Sequence, residues 1–205
     1  MFPKIAAYCE GLTKEFDSIS KERKDVLVKL SSFISSKIAQ NKSINLIYVC
    51  THNSRRSHFG QVWAHIAGSF YNVRNLKTFS GGTEATAFNR NAVYSLLKVG
   101  FEIEKVSEVL NAKYLLKFAE NEDPIVCFSK IYSDEFNPQI EFAAIMTCDE
   151  AEVNCPFIPG AELRLGTTYQ DPKEFDNTPF QEEKYDERCR QIALESMFVF
   201  SNLVK

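Results

Sequence analysis

No apolar run in the 205 residues approaches the ~18 that a membrane-crossing helix requires, and residues 1–4 do not lead into a signal-peptide core. Neither membrane association nor secretion is expected, and the expected compartment is the cytoplasm. Basic charge is not in surplus: 24 Lys and Arg stand against 27 Asp and Glu, a formal net charge of −3. That argues against a general nucleic-acid binder, which carries excess positive charge. Histidine is scarce. His52, His58 and His65 have no carboxylate or cysteine at ligand spacing, so no metal is expected. Six cysteines are too few for a disulfide scaffold in a chain this long. In a reducing compartment they serve instead as packing groups, ligands or nucleophiles. What is present, 44% hydrophobic and 25% charged residues, describes an ordinary globular protein with enough chain for a large core.

Residues 1–43 read as a helical extension. Pro3 suits a first turn and Gly11 a stop. From Phe16 to Ile38, apolar residues recur at spacings of three and four. Such a helix is expected to dock on the main domain or on a second copy, so a dimer through the N-terminal helices is one expectation. From residue 44 the pattern changes. Residues 44–49, 76–79, 125–128, 142–146 and 163–165 read as strands, and 57–70 and 188–204 as helices. Another helix is capped by Asn89 and ended by Gly100. Strands alternating with helices argue for an α/β domain over 44–205 with a mainly parallel sheet. An insertion near 120–139 is expected to add an edge strand or hairpin.

Cys50-Thr51-His52-Asn53-Ser54-Arg55-Arg56-Ser57 lies where the first strand hands over to a helix. At such junctions backbone amides converge and favour an anion. A cysteine there gains thiolate character. Arg56 is placed to clamp an oxyanion bidentately, and Ser57 to donate to the sulfur. Nucleophile, amide cradle and guanidinium together suit attack on phosphate or arsenate. Cys148 and Cys155, seven positions apart, are spaced too widely for the usual short zinc motif. Asp171-Pro172 reads locally as a turn. Cys9, Cys127 and Cys189 sit in apolar or helical settings and read as packing residues.

With Cys50, Asn53, Arg56 and Ser57 in place, the loop resembles that of the low-molecular-weight protein tyrosine phosphatase superfamily, which reads Cys-x-Gly-Asn-x-Cys-Arg-Ser. Two positions depart: His52 stands at the glycine and Arg55 at the second cysteine. The resemblance implies a three-layer fold, a four-stranded parallel sheet flanked by helices. It also implies Cys50 as nucleophile, Arg56 as oxyanion ligand, and an anion cradle formed by Thr51, His52, Asn53, Ser54, Arg55 and Ser57. Asp171 would be the general acid. Cys148-x6-Cys155-Pro156 is similar to the redox segment of the thioredoxin-coupled arsenate reductases of that superfamily. That likeness implies a catalytic relay of Cys50, Cys148 and Cys155, no bound cofactor, and an external thioredoxin-like dithiol as reductant and partner. The alternatives are a phosphatase working through a Cys50 phosphocysteine and an oxyanion-binding module of weak activity.

Overall fold

The computed structural model describes residues 1–155 and 157–203. Ile44–Cys50 forms β1, buried throughout except at Asn45. A continuous apolar run of this kind needs cover on both faces, as a central parallel strand has. β2 (Leu76–Gly82), β6 (Phe142–Met146) and β7 (Ala161–Gly166) join it in the order β2-β1-β6-β7, every pair parallel. This is the expected four-stranded sheet. Its carboxyl edge carries Cys50, Gly82, Met146 and Gly166 side by side. The segments that follow β1, β6 and β7 therefore meet at one end, where open α/β sheets bind ligands.

Alternate residues of β1 serve different faces. Leu46 and Tyr48 enter one buried cluster with α3 (Arg56–Phe70) and α6 (Gln181–Ser201), while Ile47 and Val49 enter a second with Cys148 and Ile158. The N-terminal extension joins the first cluster. α1 (Pro3–Leu12) contributes Ile5, Cys9 and Leu12, and α2 (Lys21–Ala39) contributes Leu27, Leu30 and Ile34. These helices therefore bury their apolar faces within their own chain.

Several boundaries differ from expectation. α1 runs through Gly11, because burying Leu12 favours one more helical residue than glycine's propensity alone would. The helical pattern from Phe16 is broken: Phe16–Ser18 is a 3-10 turn, and α2 begins after Ser20, whose hydroxyl accepts from Arg23 N at 3.2 Å. α6 starts at Gln181, seven residues before the expected 188, through a charged turn whose periodicity is hidden although Tyr185 is fully buried. Val204, placed in that helix from sequence, lies outside the described residues. Asn89 and Gly100 bracket α4 (Arg90–Val99) as expected. The Asn89 carboxamide accepts from Asn91 N, and Gly100 has a left-handed φ of 117°.

Within 120–139, Ile131 makes a single parallel bridge to Gly82 at the edge strand β2, while the one strand there joins two earlier ones instead of the main sheet. β3 (Glu102–Lys105), β4 (Tyr114–Lys117) and β5 (Ile125–Cys127) form a separate antiparallel sheet, with Leu116, Ile125 and Cys127 turned into the main core. The first two strands have only four residues each and are mostly not buried, so no apolar run marks them. Among the described residues no helix is long and apolar enough to cross a membrane.

Candidate active site

Residues 51–55 connect β1 to α3, and the carbonyls of this loop are fastened from outside. Cys50 O accepts from Thr83 N at 3.1 Å, Thr51 O from Glu84 N at 2.8 Å, and Ser54 O from Asn89 N at 2.9 Å. His52 O accepts from the hydroxyls of Thr86 (2.9 Å) and Ser129 (3.1 Å). In a planar trans peptide the N–H points opposite to its carbonyl. The amides of Thr51, His52, Asn53 and Arg55 are therefore turned the other way. Among the described residues none of these amides has a hydrogen-bond acceptor. Free backbone amides at the turn between a strand and a helix are suited to receive an anion.

Asn53 takes a left-handed φ of 43°, a conformation asparagine tolerates better than most residues. Its side chain is fully buried. Nδ2 donates to Ser57 Oγ at 2.8 Å, and Oδ1 accepts from Lys130 N at 2.8 Å. Since Ser57 Oγ already accepts from Asn53, its own proton is free for Cys50 Sγ, 3.1 Å away. Lys130 itself is buried against the rings of Phe128 and Phe136, and burial pushes its amine down to about 8.

Gly82, at the end of β2, sits under this loop. A Cβ there would meet three backbone atoms: Glu84 O, Thr51 O at 2.6 Å and Asn53 N at 2.7 Å. Backbone cannot rotate aside as a side chain can. Gly82→Ala is expected to lower stability by about 1–3 kcal/mol and to weaken binding of inorganic phosphate by about tenfold, equivalent to ~1.4 kcal/mol. Thermal melts and phosphate titration check both, and wild-type affinity would contradict the tight seating described here.

The two arginines have separate surroundings. Arg56 Nη1 donates to Tyr169 O at 2.8 Å and Nη2 to Asp171 Oδ2 at 2.5 Å, while its buried Nε lacks a partner. Buried donors are nearly always satisfied, so the free Nε is a place for a ligand oxygen. Asp171 Oδ1 also accepts from Lys173 N, which fixes the carboxylate beside the guanidinium. Arg55 points elsewhere, donating to Tyr185 OH at 2.6 Å and to Asp176 at 3.2 Å. Tyr185 OH donates to Asp176 as well, and burial pushes that phenol up to about 12. The Arg55 side chain thus anchors the loop to α6, and its contribution to an anion is limited to its backbone amide. The His52 ring lies 3.8 Å from Glu84 on the partly exposed rim. Burial holds His58 neutral, well below the usual imidazole range, with Nδ1 on Ser80 Oγ.

Cys148 follows β6 and caps α5 (Asp149–Asn154), accepting from Ala151 N at 3.4 Å. Its sulfur is also 3.4 Å from Thr51 Oγ1, which donates to Glu150 Oε2 at 2.8 Å. With the threonine proton committed to Glu150, the Cys148 S–H is the donor to Thr51. Cys50 and Cys148 share one buried cluster, and half-buried Cys155 packs against it from the far end of α5. Burial and the neighbouring Cys148 raise the Cys155 thiol, while Arg164 acts the other way. Arg164 also ties down that end through Cys155 O (2.8 Å), Glu152 Oε1 (2.9 Å) and Glu152 O. A cleft of about 440 Å³, bordered by Arg56, Cys148, Glu150, Tyr169 and Asp171, opens among these groups.

Cys50, Arg56, Asn53, Ser57, Thr51, Cys148 and Asp171 are thus brought to one end of the sheet. Pro156, the last residue of the redox-like segment, lies outside the described residues. Sequence reasoning missed Glu150, Gly82, Thr86, Ser129 and Lys130. The strand expected at 76–79 runs on through Gly82, and nothing in its sequence told of contact with the loop. Cys9, Cys127 and Cys189 are buried, with thiols pushed up to about 12 mainly by burial, as inert packing groups are. Among the described residues no group of three or more His, Cys, Asp or Glu is placed to hold a metal.

No family model matches the chain. It is 28% identical over 147 residues to an arsenate reductase of Bacillus subtilis (strain 168), an alignment covering 71% of this chain and 84% of that one. It is 26% identical over 128 residues to arsenate reductase 2 of Staphylococcus haemolyticus (strain JCSC1435), covering 62% and 77%. The structure is similar to a low molecular weight phosphotyrosine phosphatase from Vibrio cholerae O395, with TM-score 0.52 and 14% identity over 78% of this chain and 95% of that one. A low molecular weight protein tyrosine phosphatase from T. tengcongensis gives TM-score 0.50 and 14% identity over 78% and 100%. At such identities the structural likeness concerns the fold. The resemblance to the low-molecular-weight phosphatase superfamily and its arsenate reductases is borne out by these relatives and by the fold together.

Proposed function

We propose that the protein reduces arsenate to arsenite through Cys50, Cys148 and Cys155. The observation that carries this reading is the contact of Cys148 with Thr51 of the Cys50 loop, which sets a second buried thiol beside the anion cradle. A hydrolase has no use for that thiol. Relatives named arsenate reductase support the same choice.

In this mechanism the amides of the loop and Arg56 hold the oxyanion. The Cys50 thiolate attacks arsenic(V), and one oxygen leaves as water after taking a proton from Asp171. Cys148 then attacks Cys50 Sγ. Its proton passes through Thr51 Oγ1 to Glu150, a disulfide forms, and the arsenic–sulfur electron pair stays on arsenic, which departs as arsenite. Cys155 attacks Cys148, freeing Cys50 as thiolate. The resulting Cys148–Cys155 disulfide is reduced by an external dithiol of the thioredoxin kind. The six residues of α5 rise 1.5 Å each and separate its ends by roughly 9 Å, so this last exchange requires the helix to unwind.

Thiol mapping after one equivalent of arsenate tests the proposal. A Cys148–Cys155 disulfide is expected, and six free thiols would sink it. Because the Cys155 thiol is raised, its thiolate fraction grows as pH climbs through and beyond the ordinary thiol range. The closing exchange is therefore expected to be faster at pH 9 than at pH 7.

A second reading is phosphoester hydrolysis. The placement of Asp171 beside Arg56, where an acid would serve a departing alkoxide, favours it. Hydrolysis uses Cys50, Arg56 and Asp171 and leaves Cys148 idle.

A further inference from the structure

We propose that the small antiparallel sheet completes the anion cradle, with Ser129 as a positioning residue that holds the His52–Asn53 peptide in its binding orientation. The inference rests on the oxyanion reading above. At position 52 the loop carries histidine in place of the glycine that would give this backbone its freedom. Without that freedom, the orientation of the following peptide depends on groups outside the loop.

Two hydroxyls supply it. Ser129 Oγ donates to His52 O at 3.1 Å and Thr86 Oγ1 donates to the same oxygen at 2.9 Å. Both hold the carbonyl outward, and peptide planarity then keeps the Asn53 amide facing the cradle. Ser129 is itself immobilised. Its hydroxyl accepts from Thr86 N at 2.7 Å, so donor and acceptor are both in use. Its backbone is gripped by the Asn111 carboxamide, which accepts from Ser129 N at 3.1 Å and donates to Ser129 O at 2.7 Å. Asn111 lies between β3 and β4, and Ser129 follows β5. The sheet thus holds Ser129, a residue only 2% exposed, against a loop carbonyl that two hydroxyls hold in place of a backbone amide.

The test titrates inorganic phosphate and, separately, arsenate into the reduced full chain, alongside thermal melts. Ser129→Ala is expected to bind both ions about tenfold more weakly, the scale of one lost hydrogen bond in a desolvated site. Thr86→Val, which removes the other donor from a more exposed position, is expected to weaken both as well, with melting temperature nearly unchanged. Ser129→Thr, which keeps a hydroxyl, is expected to recover most of the affinity. Wild-type affinity in Ser129→Ala overturns the proposal, as does a fall in melting temperature without loss of affinity. If Ser129→Ala does not fold, unchanged affinity in Thr86→Val overturns it instead. A wild-type chain that binds neither ion overturns the oxyanion reading, and this inference with it.

Discussion

Replacing Cys148 with serine is expected to abolish multi-turnover arsenate reduction, by on the order of 10³-fold or more, the scale on which loss of a covalent catalytic group acts. A serine hydroxyl would fit where the thiol lies, 3.4 Å from both Thr51 Oγ1 and Ala151 N, so the fold should be unchanged. What disappears is a nucleophile able to attack sulfur and then serve as a leaving group. In this variant Cys50 still forms its adduct with arsenate, but no arsenite is released. The outcome separates the two functional readings. An aryl phosphatase would keep its burst of aryl alcohol in Cys148→Ser and lose it only in Cys50→Ser. Full turnover of arsenate by Cys148→Ser, with a thioredoxin present as reductant, would refute the relay.

The Arg56→Lys variant is expected to lose about 10²–10³-fold in kcat/KM, the range for removal of a preorganised oxyanion donor. Lysine keeps the charge but not the planar fork. Arg56 uses one nitrogen on Tyr169 O and another on Asp171, and presents a third, buried and unpartnered. A single ammonium cannot fill all three positions at once. The substitution therefore loosens the segment carrying Asp171 while weakening the anion clamp. Both effects fall on arsenate and on aryl phosphate, since each is a tetrahedral oxyanion. Steady-state kinetics on both substrates checks this, and a loss under twofold on each would remove Arg56 from the site.

Where a residue's role follows from the chain beside it, the sequence was informative. The buried run ending at Cys50, followed by polar residues and then a helix, placed the loop. Asn89 and Gly100 marked α4, because a cap and a left-handed stop are local chemistry. Cys148 was legible as a cysteine two residues past a continuous apolar strand. Interactions across the fold were not legible. Arg55 read as added charge at the site until Asp176 and Tyr185, more than a hundred residues away, turned its guanidinium toward α6. Ser129 and Asn111 flank strands of a sheet whose first two are too short and too exposed to show a period. Gly82 is one of two glycines that end β2, and only the folded arrangement shows that Thr51 O and Asn53 N lie against it.

The short helix between Cys148 and Cys155 also decides which thiol the outside world meets. Cys50 and Cys148 are 3% and 2% exposed, and Cys155 alone of the three is half-buried. While α5 stays wound, a stray oxidant diffusing up to the reduced protein meets first a thiol that burial holds above its ordinary range, and so a poorly reactive one. In the proposed relay this arrangement discourages idle oxidation and keeps the reducing equivalents for the event that starts at the opposite end of the helix. The fold thus ranks the three thiols by exposure before any substrate arrives.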